Sequence, residues 1–596
     1  MCGIAGFFGD GDRAATSAML DALHHRGPDD RHIVSGERFA IGAARLSIID
    51  VAGGRQPLTN EDGTIVAAQN GELYNFPVLR PALLERGHRL TTCTDTELLP
   101  HIWEEAGERL PERIDGMFAV AVWDGRQQVG FLARDRMGKK PLYYWSHEGV
   151  LYFASELKAI LAVPGFVRRL NLEALHHYLS YKHVPHPLTI FEGVRMLPPA
   201  HRLVYRPGSE PVISRYWTLS FAPESGGAPD ESEAVEELLV RMRRAVSRRL
   251  MSDVPVGFFL SGGIDSSLTA ALATEVAPSR VKTFTLTYAD GATTLGKEQD
   301  RRWARWVAER YGTEHYEETI SVDDYPSSLR NILRAFDEPF AGVVSTYFLS
   351  ERMARHVKVA VAGDGADELF GSYLSHRVAA GAEALPDGLP SDPDWAWRAG
   401  LLVMTDEEKY RLYSPDVRAR LVGVSTRDHV RLAFGALTAR DPLNRVLEAE
   451  FHGILPDQVL TFVDRLSMAH SLEVRSAFLD TEVVEYVAGL PGSLKIRHGE
   501  TKYILKQAAA RYFPEEMIRR PKEGFLMPIT QWVLGELQPW VRETLSPHRL
   551  AVHGLFNMAR VEDLVNAAYR PGSHYREVNK VLALVIFQEW YEMYLS

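Results

Sequence analysis

The sequence predicts two sheet-based units of different class. An α+β domain covers residues 1–217 and a linker covers 218–232. An α/β domain with a doubly wound parallel sheet and a helical C-terminal part covers 233–596. Three observations carry this. The 596 residues exceed what one core can organise and suggest about two to four domains. The first third is rich in short strands separated by turn residues. Beyond the linker, strands alternate with helices, which implies βαβ units and a parallel sheet.

The elements follow in order. Phe39–Gly42, Ile65–Ala68, Met117–Trp123 and Val129–Ala133 are apolar or β-branched runs, bounded by turns such as Gly53-Gly54, Asp62-Gly63 and Asp124-Gly125. A helix over Phe76–Arg86 intervenes. Residues Pro223 to Ser232 are rich in Pro, Gly, Ser and acids, a linker composition. Strand Val256–Leu260 then runs through a glycine-rich turn into a helix. Strand Val281–Thr287 precedes a helix over Trp303–Tyr311, and a helix over Thr346–Arg355 precedes strand Val357–Ala362. After about residue 390 the pattern is mostly helical, and Val581–Phe587 reads as part of a buried C-terminal helix. No internal repeat is visible.

The totals exclude several classes. A formal net charge of −11 argues against nucleic-acid and membrane-surface partners. Two cysteines cannot form a disulfide framework, so a reducing, cytoplasmic setting fits. No signal-peptide pattern opens the chain, and no apolar run reaches the ~18 residues that span a bilayer.

The second residue is a cysteine. If Met1 is removed, Cys2 carries a thiol and an α-amine whose pKa in a free chain is near ~8, a nucleophile with its own base. Alone, this is an accident of a fraying terminus. Three polar motifs in strand-rich sequence change that: Arg45 to Asp50, Asn70 to Asn75, and Thr94 to Glu97. A thiol attacking a carboxamide needs an oxyanion hole, and the Asn70 side-chain amide and Gly71 N–H suit one. A free amino acid needs a cation for its carboxylate and an acid for its ammonium. Arg45 and either Asp95 or Glu72 suit these parts. Cys93 matches no motif and reads as a structural thiol.

Together with His25-Arg26-Gly27-Pro28-Asp29-Asp30, Ala133-Arg134-Asp135-Arg136 and Gly138 to Tyr144, these motifs resemble the class II, N-terminal-nucleophile (Ntn) glutamine amidotransferase domain. The resemblance implies an αββα Ntn-hydrolase sandwich, Cys2 as nucleophile and glutamine as substrate. It places Arg45, Ile48, Asn70, Glu72 and Asp95 around the glutamine, with Asn70 and Gly71 as oxyanion hole.

The second constellation is Phe258 to Ser267, which contains Ser261-Gly262-Gly263-Ile264-Asp265-Ser266. Two glycines let backbone wrap a phosphate at a helix N-terminus; Ser261, Ser266 and Ser267 offer hydroxyls, and Asp265 could ligate Mg²⁺. A second acidic loop, Ala362 to Gly371, follows an apolar strand, so Asp367 could share that ion. Gly291 to Lys297 imitates a Walker loop, but Glu298 stands where Ser or Thr is needed, and the segment reads as a flexible loop. Lys522 sits in a Pro/Gly-bounded loop and by itself reads as a surface lysine.

The full pattern resembles the pyrophosphate loop of ATP pyrophosphatases. With Val463 to Arg475 and Thr501 to Lys506, residues from about 235 onward are similar to the synthetase domain of glutamine-hydrolysing asparagine synthetases. The resemblance implies Leu260 and Leu286 at the adenine and Ala362-Gly363 near the nucleotide. It implies Asp364 near the reacting carboxylate and Lys522 on the phosphates. Two stretches depart from the family pattern: Asp337 to Tyr347 is shorter and less polar, and Val474-Arg475-Ser476-Ala477-Phe478-Leu479-Asp480 replaces a common VRVPFLD. Both are expected to line the acceptor pocket.

The expected function is therefore ATP- and Mg²⁺-dependent amidation of aspartate by glutamine-derived ammonia through an acyl-adenylate. Three alternatives stay open: another carboxylic acid as acceptor, a β-lactam-synthetase-like cyclase, and a non-enzymatic regulatory homologue. Small molecules are the expected partners, and a homodimer stays open as the assembly.

Overall fold

The computed structural model describes residues 2–221, 229–289, 297–384, 398, 400–520, 527–573 and 575–596. Two six-stranded sheets form the first part. One runs, in spatial order, Val194–Met196, Tyr143–His147, Val150–Ala154, Cys2–Phe8, Phe39–Arg45 and Asp30–Ser35. The other runs Val212–Arg215, His201–Tyr205, Val129–Arg134, Gly116–Asp124, Ile65–Leu73 and Leu58–Thr59.

The two sheets pack face to face. Ile4, Phe8, Ile41 and Ala43 from one meet Val66, Ala68, Ala119, Ala121 and Leu132 from the other. Each outer face is also covered. Ala5 and Ala44 pack on Met19 and Leu20 of the helix Arg13–Ala22 and on Ile160 of Leu157–Leu161. Ala67, Val120 and Val122 pack on Leu98, Leu99, Ile102 and Trp103 of the helix Leu98–Ala106. This is the expected αββα arrangement. It explains why Cys2–Phe8, Phe39–Arg45 and Ile65–Leu73 are buried along their whole length instead of alternating.

The second part holds a five-stranded, all-parallel sheet. Its order is Glu314–Ile320, Lys282–Tyr288, Val256–Phe259, Val359–Ala362 and Glu473–Ser476. Sequence order runs one way from Val256–Phe259 and the other way from Val359–Ala362. The topological switch point lies between those two strands, where ligand crevices form at strand C-termini.

Two strands of this parallel sheet escaped the sequence reading. Glu314–Ile320 is an edge strand of mostly polar residues, and Glu473–Ser476 stands inside the otherwise helical C-terminal part. The linker is also shorter than expected. Leu219 and Phe221 are buried in the core that holds Leu238, Leu239 and Met242. A helix begins at Glu231, with the Asp230 side chain accepting from Ser232 and Glu233 N–H. Residues 222–228 lie outside the described residues, as do residues 291–296 of the Walker-like segment.

The final helix, Tyr575–Tyr594, returns to the first part. Tyr178 Oη donates to the Ala583 carbonyl at 2.8 Å, and Trp590 and Tyr594 bond Asp337. Among the described residues no helix is long and apolar enough to cross a membrane.

Candidate active site

The first strand puts Cys2 in register with Arg45. Cys2 is 3% exposed, and burial raises its thiol pKa against an opposing pull from Arg45. Gln56, which the sequence reading missed, donates from Nε2 to Cys2 Sγ at 3.4 Å and accepts from Gln69 N–H at 2.8 Å. With the Asn70 amide turned to satisfy both its atoms, Nδ2 donates to the Cys2 carbonyl at 2.7 Å and Oδ1 accepts from Arg26 at 3.3 Å. One of the two amide hydrogens is thereby spent on the nucleophile's own residue. Gly71 has φ of +151°, and a Cβ there would lie 1.9 Å from the Met117 carbonyl. Only glycine fits between these neighbouring strands.

Behind the thiol lie two buried carboxylates. Asp95 accepts from Gln69 Nε2 and Leu73 N–H, both at 2.8 Å, yet burial still raises its pKa. Glu72 is raised further, first by burial and then by the charge of Asp95. Its Oε2 has no hydrogen-bond partner among the described residues. Two buried acids, one of them unsatisfied, suit an incoming ammonium group.

Arg45 and Ile48 also have partners within the protein. The Arg45 guanidinium donates to the carbonyls of Ile49, Asp50 and Val51 at 2.9, 2.7 and 3.3 Å. Ile48 buries its side chain with Val359 and Met468 of the second part, and its carbonyl accepts from Asp253 N–H. Cys93 is exposed, which removes the structural-thiol reading.

Buried charges join the two parts. Arg26 donates to Glu156 at 2.7 Å and to both oxygens of Asp464 at 2.8 and 3.1 Å. Lys140 reaches Asp464 at 3.1 Å. The Asp464 pKa falls to about 2 because Arg26 and Lys140 outweigh its burial. Arg475 lies 3.5 Å from Glu72. Within the segment expected to line an acceptor pocket, Arg475 points into the junction, while Ser476 Oγ donates to the carbonyl of Asp364 at 2.6 Å. Ala477, Phe478 and Leu479 beyond it are core.

A cleft of about 1250 Å³ opens at the switch point. Leu260, Leu286, Ser261, Gly263, Asp265, Ser266, Ala362, Gly363, Asp364 and Asp367 all line it. Gly262 and Ser267 do not. Gly262, with φ of +74°, packs against the Asp300 carbonyl, and Ser267 is fully buried behind the wall. Ser266 Oγ braces the turn by accepting from Ser261 N–H at 3.1 Å. Of the segment Asp337 to Tyr347, Val343 lines the cleft. Lys522 lies outside the described residues.

The cleft floor is acidic. Lys502 Nζ bridges Asp265 Oδ2 at 2.6 Å and Asp367 Oδ1 at 2.5 Å. The sequence reading used Lys502 only as part of a resemblance. Asp364 is raised to about 7 by burial and by the charges of Asp367 and Asp265. Asp265 Oδ1 and Asp364 Oδ2 are buried without partners among the described residues. Two orphaned carboxylate oxygens on an acidic floor fit a hard divalent cation. Arg520 also closes on the turn, donating to the Gly262 carbonyl at 3.0 Å and to Asp300 at 2.7 Å.

A glutamine amidotransferase domain pattern matches residues 1–217, and the asparagine synthase pattern matches residues 237–592. In class the protein is a glutamine-dependent ligase. The chain belongs to the asparagine synthase family. It is 31% identical to asparagine synthetase [glutamine-hydrolyzing] 1 of Bacillus subtilis, over 100% of this chain and 97% of that one. Asparagine synthetase [glutamine-hydrolyzing] 3 of the same organism is 29% identical, over 95% and 93%. Amidase chyE of Penicillium rubens is 27% identical, over 96% and 95%.

Proposed function

We propose that the chain is a glutamine-hydrolysing, ATP-dependent asparagine synthetase. One observation carries the reading: a buried Cys2 thiol shares one site with Asn70, Gly71 and the paired acids Glu72 and Asp95. Cys2 Sγ attacks the glutamine carboxamide carbon. The α-amine exposed by removal of Met1 takes the thiol proton and passes it to the leaving nitrogen. Gly71 N–H and the second Asn70 amide hydrogen receive the oxyanion. Ammonia leaves, and water then releases glutamate from the thioester. Glu72 and Asp95 hold the glutamine ammonium, and Arg45 answers its carboxylate.

In the cleft, Leu260 and Leu286 flank the adenine, while Ser261, Gly263 and Ser266 receive phosphate oxygens. A carboxylate oxygen of aspartate attacks the α-phosphorus of ATP and pyrophosphate departs. Ammonia then attacks the acyl carbon and AMP departs. Asp364 stands beside the reacting carboxylate, and Lys522 is assigned to the phosphates. Asp265 and Asp367 would hold Mg²⁺, which when bound supplies positive charge to the phosphates. A cytoplasmic location and assembly as a homodimer belong to the same proposal.

A second reading, amidation of a different and less polar acid, is favoured by Val343 on the cleft wall and by Arg475 turned toward Glu72. Pyrophosphate release across a panel of acids separates the two, beside glutamine hydrolysis with and without Cys2→Ala. Aspartate-dependent AMP release with asparagine formed supports the main reading. Pyrophosphate release with another acid but not aspartate overturns the asparagine assignment, and release with none overturns the synthetase role.

A further inference from the structure

On the first part of the chain, Glu61, His88, His101 and Glu104 converge, with one potential ligand atom from each lying within 4.8 Å of all the others. His101 and Glu104 stand one turn apart on one face of the helix Leu98–Ala106. His88 follows the helix Phe76–Glu85, and Glu61 lies in the turn between the strands Leu58–Thr59 and Ile65–Leu73. Two histidines and two carboxylates from three separate segments thus share one small volume.

The facing atoms stand at the separations of ligands around one small ion. His88 Nδ1 lies 3.2 Å from His101 Nδ1, 3.3 Å from Glu61 Oε1 and 3.8 Å from Glu104 Oε2. His101 Nδ1 lies 3.3 Å from Glu61 Oε2. Four ligands at the ~2.0–2.1 Å bond lengths of zinc sites stand about 3.3 Å apart.

Hydrogen bonding alone leaves the two facing Nδ1 atoms in competition. Either both donate to Glu61, which sets two N–H groups against each other at 3.2 Å and leaves the His101 Nε2 lone pair buried without a partner among the described residues, or one is unprotonated and accepts from the other. Whichever accepts also presents its lone pair to a Glu61 oxygen at 3.3 Å. If His101 Nδ1 accepts, its proton sits on Nε2, which is buried without a partner among the described residues. A cation at the centre removes the conflict, because every facing atom then becomes a donor to it.

The surroundings are those of a built site. Glu104 Oε1 is held by Asn60 Nδ2 at 3.1 Å and by Arg126 at 3.0 Å, leaving Oε2 for the centre. Glu61 Oε1 accepts from Arg89 N–H at 2.9 Å. His88 Nε2 faces Glu105 Oε1 at 3.5 Å, the second carboxylate that commonly fixes a ligating imidazole.

We propose that Glu61, His88, His101 and Glu104 bind one zinc-type divalent cation in a closed, structural site. The borderline N₂O₂ donor set favours zinc over magnesium or calcium. The ion would pin the connection between the helices Phe76–Glu85 and Leu98–Ala106, the connection that ends at Asp95. The site is independent of the proposed reaction, since none of its four residues lies in either site described above.

The test uses the full-length protein, stripped with a chelator and titrated with Zn²⁺ in excess Mg²⁺ against a chromophoric competitor. One tight equivalent per chain is expected. His88→Ala and Glu61→Gln should each weaken it by about 100-fold, while Cys2→Ser/Cys93→Ser binds as tightly as the parent. Co²⁺ in the unmutated protein should give the intense visible bands of four-coordinate cobalt, a readout that holds even if a variant folds poorly. No tight equivalent, loss in the cysteine variant, undiminished binding in His88→Ala, or the weak bands of six-coordinate Co²⁺ would each overturn the proposal.

Discussion

Replacing Asp364 by Asn should stabilise the protein in a way that grows with pH. In the folded chain the Asp364 carboxyl titrates at about 7, against 3.8 for an ordinary aspartate. The folded state therefore holds this proton more tightly than the unfolded state. The sign follows: stability from this group is full below about pH 4 and declines as pH rises toward 7. Well inside that window each pH unit removes about 1.4 kcal/mol and near pH 7 the slope halves, so about 2 kcal/mol is lost between pH 5 and pH 7. Asn has the same shape and no proton to lose, so Asp364→Asn escapes the decline. For a domain of several hundred residues the gap in Tm between variant and parent should widen by about 3–6 °C from pH 5 to pH 8. Thermal melts of both proteins at the two pH values measure it. A gap that stays constant or narrows would refute the claim that burial, together with Asp367 and Asp265, keeps Asp364 protonated.

Three further outcomes are expected. Lys502→Gln leaves Asp265 and Asp367 facing each other uncompensated; it should cost about 3–5 kcal/mol, read by melting, and should lower ATP-dependent pyrophosphate release. Asp464→Asn strips Arg26 and Lys140 of their buried partner and should cost about 3–5 kcal/mol at pH 7. Because Asp464 titrates at about 2 when folded, its contribution is present above pH 4 and fades as pH falls through 2, so parent and variant melts should converge in acid. Gly71→Ala forces a methyl against the Met117 carbonyl and should abolish glutamine hydrolysis while lowering Tm, both measurable on the purified variant.

The turn after Val256–Phe259 and the acidic loop after Val359–Ala362 were legible because local sequence sets them: a strand, a tight turn, then a helix. The grouping of Cys2, Asn70, Gly71, Glu72 and Asp95 came instead from their chemistry and from the family resemblance. What was not legible depends on distant partners. Lys502 looks like any helix-flanking lysine until folding brings Asp265 and Asp367 to it. Arg26 and Asp464 are 438 residues apart, and no periodicity connects them. Glu314–Ile320 hid because an edge strand need not be apolar on both faces, and Glu473–Ser476 hid because its helical neighbours masked a four-residue run. Gln56 gave no signal at all: its worth comes from the Cys2 thiol that the fold lays beside it.

The helix Tyr575–Tyr594 has a consequence for biosynthesis. The helix Leu172–Tyr181 is buried at every residue but Glu173, and Tyr178 bonds a carbonyl 405 residues further along. On the ribosome, that surface stays uncovered while most of the second part is being made. The first part then reaches its final packing only after the second exists. A chain interrupted in translation would keep the apolar face of Leu172, Leu175 and Leu179 open to other chains, so the last helix to be made is the one that closes the first part against aggregation.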